Sequence, residues 1–388
     1  MSKSSPSPSP TRSRFKDRRC LIISIAIVSC LIVAATVALA VLLTQDRTGR
    51  DEVVAGRPIP TTLPPTIPPI NNGSIGLRGP VITPHFPDPG LLNVNGTWWA
   101  YATRARGGAA RRTYIQVASS PDFENWAVLQ NSDGSQRDAL PELPRWVNQT
   151  RYDTWAPSVI QLAPDSFIMY YAATTVADNS GRFHCIGYAL SQDPSGPFEA
   201  SQEALICPLE EGGAIDPFAY QDRDGQRWLA YKIDGNARGN GGTCGNTNEP
   251  IVPTPLMLQR MSPDGRRLVG DPIRLLDHNG IADDGLIEAP AIARSPEGVY
   301  FLFFSKGCFS TSAYTVSYAT ASTITGPYDR KPRPLFQTGD FGLTGPGGAC
   351  VLFDGRHMVF HAFVGGVQGR SRSMYTALLN ITGETVTV

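Results

Sequence analysis

From about Gly79 to the C-terminus, apolar residues fall in short β-rich runs with almost no helical spacing. Five of these runs share one grammar. A proline opens an apolar strand, a turn follows seven to nine residues later, and an aromatic-rich strand comes next. The prolines are Pro89, Pro157, Pro217, Pro290 and Pro346. The turns are Asn95-Gly96, Asp165-Ser166, Asp224-Gly225, Glu297-Gly298 and Asp354-Gly355, mostly hairpin dipeptides. The second strands run from Trp98, Phe167, Trp228, Tyr300 and Met358. Prolines spaced 68, 60, 73 and 56 residues apart mark a unit of three or four antiparallel strands repeated five times. That predicts an all-β fold, a five-bladed β-propeller over 79–388. A β-sandwich also offers many short strands but does not explain the repeated proline–turn–aromatic unit.

The N-terminal pattern is different. Residues 1–19 are polar and basic, with six Lys/Arg against Asp17, and read as a cytoplasmic tail. Residues 20–44 carry no charge, enough to cross a bilayer as a helix of about 20 residues. The basic flank comes first, which predicts a single-pass type II signal anchor with the rest of the chain extracellular or lumenal. The alternative is a secreted protein cleaved after Ala38-Leu-Ala40. Residues 45–78 form a Pro/Thr-rich stalk, with six prolines between Arg57 and Ile70.

Composition adds three constraints. Net charge is zero, so nothing in the balance points to nucleic acid. Four N-x-[ST] sequons, at Asn72, Asn95, Asn148 and Asn380, fit a glycoprotein of the secretory pathway. Outside the anchor five cysteines remain, an odd number. The expected pairs are Cys185–Cys207 and Cys244–Cys308, with Cys350 buried and free.

Candidate chemistry lies in three acids. Each is followed within two residues by proline and flanked by apolar side chains: Asp88, Asp216 and Glu288. A carboxylate in such surroundings is costly unless paired, hydrogen-bonded or protonated. In a propeller the first strand of each blade lines the central channel, so these acids, from blades one, three and four, should share one pocket. Lys232 and Asp234 stand at a strand end and read as solvated; Asp283-Asp284 read as a loop turn.

Pro87-Asp88-Pro89, Ala214-Ile-Asp216-Pro217 and Ile287-Glu288-Ala289-Pro290, with Thr154-Trp155-Ala-Pro157 in blade two, resemble glycoside hydrolase family 43 across the whole exported domain. Related invertase propellers use Arg-Asp-Pro and Glu-Cys, where this chain has Ile-Asp-Pro and Glu-Ala-Pro. The resemblance implies that Asp88 is the general base and Glu288 the general acid, with Asp216 orienting Glu288 and holding its proton. It implies single-displacement hydrolysis with inversion, which requires the two carboxyl groups about 6.5–9.5 Å apart. Trp155 is expected to wall the sugar site, with Phe86 a weaker candidate. Arg372 is expected to pair with Asp216 or a substrate hydroxyl. No cofactor is required, although the resemblance implies a central ion, often calcium, that His361 helps to hold through water. The implied substrates are pentose-containing glycans, with α-L-arabinofuranosidase or arabinanase activity first and β-xylosidase or galactan-active hydrolysis second. A non-catalytic glycan-binding propeller is the competing class.

Overall fold

The computed structural model describes residues 76–105, 113–367 and 371–388. The expected cytoplasmic tail, the transmembrane helix and all but the end of the stalk lie outside the described residues. Among those described, no helix is long and apolar enough to cross a membrane.

Five four-stranded antiparallel sheets make up the described chain, together with a terminal hairpin, Asn380–Thr382 with Thr385–Thr387. Leu77–Ile82 is β1. Blade one holds β2 (Gly90–Val94), β3 (Thr97–Ala102), β4 (Gln116–Ser120) and β5 (Ala127–Val128). Blade two holds β6 (Thr154–Ala163), β7 (Ser166–Thr174), β8 (His184–Ser191) and β9 (Glu199–Ala200). Blade three holds β10 (Ala214–Gln221), β11 (Arg227–Ile233), β12 (Leu256–Met261) and β13 (Leu268–Leu276). Blade four holds β14 (Ile287–Arg294), β15 (Tyr300–Lys306), β16 (Thr315–Ala321) and β17 (Asp329–Arg330). Blade five holds β18 (Gly347–Val351), β19 (His357–Phe363) and β20 (Arg372–Leu378), and takes its outer strand from β1. The inner strands meet in a ring, β2 on β6, β6 on β10, β10 on β14, β14 on β18 and β18 back on β2. The all-β five-bladed propeller is as expected.

The proline grammar has a geometric cause. Each inner strand carries one left-handed residue at its channel end: Asp88 (φ 51°), Ala156 (45°), Asp216 (54°), Ala289 (53°) and Gly348 (58°). At four of them the ladder to the second strand breaks for two residues, between Trp155 and Ser158, Ile215 and Phe218, Glu288 and Ala291, and Gly347 and Cys350. Blade one begins its ladder just after the same feature, at Gly90. The residue following each left-handed position is proline in four blades. A proline costs no ladder bond where the ladder is already interrupted, and its fixed φ stiffens the bulge. Blade five corrects the expected register. Its equivalent of the proline is Ala349, whereas Pro346 lies three residues earlier and outside the bulge.

Second-strand aromatics fill the spaces between blades: Tyr101, Tyr170, Tyr171, Phe301, Phe303 and Phe360 are fully buried. Cys185 pairs with Cys207 inside blade two, Cys244 with Cys308 across the loops of blades three and four, and Cys350 is free and buried. The loop bearing Cys244 therefore cannot move independently of the loop after β15.

Ring closure depends on β1, which pairs Leu77 with Ala377, Arg78 with Thr376 and Ile82 with Met374. A chain starting at Thr83 should melt roughly 10 °C below one starting at Gly76, because each kcal/mol lost shifts Tm by about 2–4 °C in a domain of this class. Scanning calorimetry measures the difference; equal melting temperatures would show that β1 does not close the ring.

Candidate active site

The channel ends of the inner strands open on one cavity. Asp88, Asp216 and Glu288 all line it, together with Trp155, Lys232, Asp234, Tyr314 and Arg372. Residues 200 positions apart in the chain meet there because the bulges place equivalent points of different blades around one axis. The acids occupy two different positions on that frame. Asp88 and Asp216 are the left-handed residues themselves, and Glu288 is the residue before one.

Asp88 is held from three sides. The Thr103 hydroxyl donates to Oδ2 at 2.7 Å and the Arg372 guanidinium to Oδ1 at 3.0 Å. Its own backbone N–H donates to His361 Nδ1 at 3.0 Å. Thr103 also accepts the N–H of Ala156 at 3.1 Å, which ties the Asp88 clamp to the blade-two bulge. Burial alone would raise the Asp88 carboxyl, but the Arg372 guanidinium, helped by the Thr103 hydroxyl, outweighs it and holds it below the usual carboxylate range. Asp88 is ionised at neutral pH and can accept a proton.

The opposite tendency rules Asp216. Its Oδ2 accepts the Ala289 N–H at 2.9 Å, so the blade-three acid is fastened to the backbone beside Glu288. Burial first, and then repulsion from Glu288, push its carboxyl up to about 8. At neutral pH Asp216 carries a proton.

Both oxygens of Glu288 have donors. Lys232 Nζ donates to Oε2 at 3.0 Å and the Tyr314 hydroxyl to Oε1 at 2.9 Å. Lys232 has no solvent exposure and stands 3.1 Å from Asp234 Oδ1 as well. Burial opposes its charge, yet Glu288 and Asp234 more than compensate and raise its pKa above the ordinary lysine range. The Lys232 ammonium is thus permanently charged, and a buried ion of this kind holds its partners firmly.

Several expectations need correction. Lys232 and Asp234 are not solvated; they are buried in the cavity wall, where Lys232 is ion-paired with Asp234 and Glu288. Arg372 pairs with Asp88, not Asp216. Phe86 cannot touch a ligand: it is fully buried in the core and bonds the Arg372 carbonyl through its backbone at 2.8 Å. Trp155 does line the cavity, with one face covered by the His184 ring at 3.8 Å between centroids. Lys232 left a readable trace, since an ammonium in the run Trp228-Leu-Ala-Tyr-Lys-Ile233 is as anomalous as Glu288 in its own strand. Tyr314 and Thr103 left none, because they stand at loop edges whose position only the closed ring defines.

The surroundings of His361 do not fit a central cation. Its Nδ1 accepts the Asp88 N–H, so the neutral ring carries its proton on Nε2 and offers no lone pair there. The Arg372 guanidinium lies 3.5 Å from that same Nε2, where a metal ion would meet a fixed positive charge. Burial and Arg372 push the imidazole down to about 3, which keeps it neutral. Among the described residues no three His, Cys, Asp or Glu side chains converge as a metal site.

Known proteins resemble this chain in sequence and fold. The chain is 27% identical over 266 residues to an extracellular endo-α-(1→5)-L-arabinanase of Thermotoga petrophila, and spans half of that protein's length. It is 27% identical over 297 residues to a β-D-galactofuranosidase of Aspergillus niger, covering 73% of this chain and 75% of that one. A crystal structure of a thermostable family-43 glycoside hydrolase superposes with a TM-score of 0.61 at 24% identity, covering 78% of this chain and 92% of the other. The family model for glycosyl hydrolases family 43 matches residues 77–382, from the closing strand to the terminal hairpin. By that match, over a propeller with its acids gathered at the axis, the chain belongs to glycosyl hydrolases family 43.

Proposed function

We propose that the chain is an inverting glycoside hydrolase acting on pentose- or furanose-containing glycans, with α-L-arabinofuranosidase or arabinanase activity the leading reading. One observation carries it. A single cavity holds a carboxylate kept ionised by Arg372 and, across the axis, an acidic pair that retains a proton. That is the charge distribution a single-displacement hydrolysis needs. Asp88 draws a proton from water, and the water oxygen attacks the anomeric carbon from the face opposite the leaving group. The glycosidic C–O bond breaks as Glu288 gives a proton to the departing oxygen. At rest the proton is on Asp216, which passes it to Glu288 as the leaving oxygen draws on it, so that Asp216 ends the step ionised. Trp155 supplies an apolar wall for the sugar.

Relatives named as an arabinanase and a galactofuranosidase support a five-membered sugar ring without choosing between them. The relatives from Thermotoga petrophila and Bacillus subtilis are named extracellular, which supports export of the catalytic domain, anchored by residues 20–44 or released by cleavage. A non-catalytic glycan binder would have no use for two oppositely tuned acids in one cavity.

Glu288→Gln should reduce kcat at least about 1,000-fold on oligosaccharides, within the range that proton transfer contributes. Glycan binding, read by calorimetry, should survive. Full turnover by this variant on arabino-oligosaccharide would remove the acid assignment.

The pH dependence follows from the signs above. Activity needs Asp88 deprotonated and the acidic pair protonated. It should therefore stay high well into acid and fall as pH rises through about 8, where Asp216 loses its proton. Lys232 lowers the Asp216 pKa, so Lys232→Met should move that alkaline limb upward. A kcat/KM profile whose alkaline limb stays in place in the variant would contradict the shared-proton scheme.

A further inference from the structure

The cavity wall contains a buried hydrogen bond that the scheme above does not use. The Tyr314 hydroxyl donates to Glu288 Oε1 at 2.9 Å. A carboxylate can only accept, so the phenol is the donor. Tyr314 has 1% solvent exposure, so water cannot take its place.

Packing holds the tyrosine in this pose. A Cβ placed on Gly347 would fall 1.9 Å from the Tyr314 ring, so only glycine permits this approach. The other face of the ring region is bordered by His361, stacked at 5.8 Å between centroids.

We propose that Tyr314 is the positioning residue of the general acid: its hydroxyl holds the Glu288 carboxyl at Oε1 while Lys232 holds Oε2, which fixes the carboxyl for delivery of its proton to the leaving oxygen. As the glycosidic C–O bond breaks, that proton passes to the departing oxygen and negative charge returns to Glu288. The Tyr314 donation strengthens at that moment, because a hydrogen bond to a charged acceptor exceeds one to a neutral acceptor. Its benefit belongs to the transition state and grows with the leaving group's need for a proton. This inference rests on the glycosidase reading and extends it to a residue outside the three acids.

The test is leaving-group dependence. Tyr314→Phe keeps the ring and removes the donor. Its kcat should fall roughly 10–100-fold on a disaccharide, whose leaving group is a sugar, as expected for a hydrogen bond to a charged group. On the p-nitrophenyl glycoside of the same sugar, whose leaving group departs with little help, the fall should be several-fold smaller, and KM should change little in both cases. Equal losses on both substrates, or a loss confined to KM, would each overturn the proposal. A wild-type protein inert on arabinofuranosides, xylosides and galactofuranosides would instead remove the glycosidase reading on which it stands.

Discussion

Every feature of the site depends on a left-handed bulge that the propeller repeats at the channel end of each inner strand. Five sheets packed about an axis bring those ends together, and the bulge interrupts the ladder where they meet. The interruption frees a backbone N–H or a side chain to reach the neighbouring blade instead of its own. Ala156 N–H thus finds Thr103, Ala289 N–H finds Asp216, and Gly348 N–H finds Ser305. A left-handed residue other than glycine costs of order 1–3 kcal/mol, and four of the five are not glycine. Closure of the ring and these cross-blade bonds offset that cost.

Charge separation follows from the same geometry. Three acids enclosed in one cavity could not all remain ionised without counterions. Two cations divide them. Arg372, arriving from β20, lies on Asp88, while Lys232, arriving from β11, lies on Glu288 and Asp234. Asp216 is left with a backbone N–H alone and takes up a proton. Position relative to two side chains, and not the identity of the acids, makes one group a base and the other pair a proton reservoir. The same fixed guanidinium occupies the place where a central cation would otherwise approach His361.

Much of this was legible in the chain. The five-fold grammar identified the blades, and the odd placement of Asp88, Asp216 and Glu288 identified the acids, because apolar surroundings make a carboxylate conspicuous. The grammar failed where its physical cause differed from its sequence sign. Blade five has Ala349 where the others have proline, so Pro346 took its place in the reading. Lys232 was misread because a strand end is ordinarily wet, and here the neighbouring blade covers it. Phe86 was misread for the converse reason: adjacency to Asp88 in sequence says nothing about which side of the strand faces the cavity. Tyr314 carries no anomaly in sequence at all, since a tyrosine beside a strand is unremarkable until the ring closes around it.

The account stands or falls on whether water, activated by Asp88, attacks opposite the bond that Glu288 protonates. Proton NMR of the first sugar released from an arabinofuranoside, recorded before mutarotation, reads this directly. The account predicts that the initial product has the anomeric configuration opposite to the substrate's. Initial release of the retained anomer would contradict it.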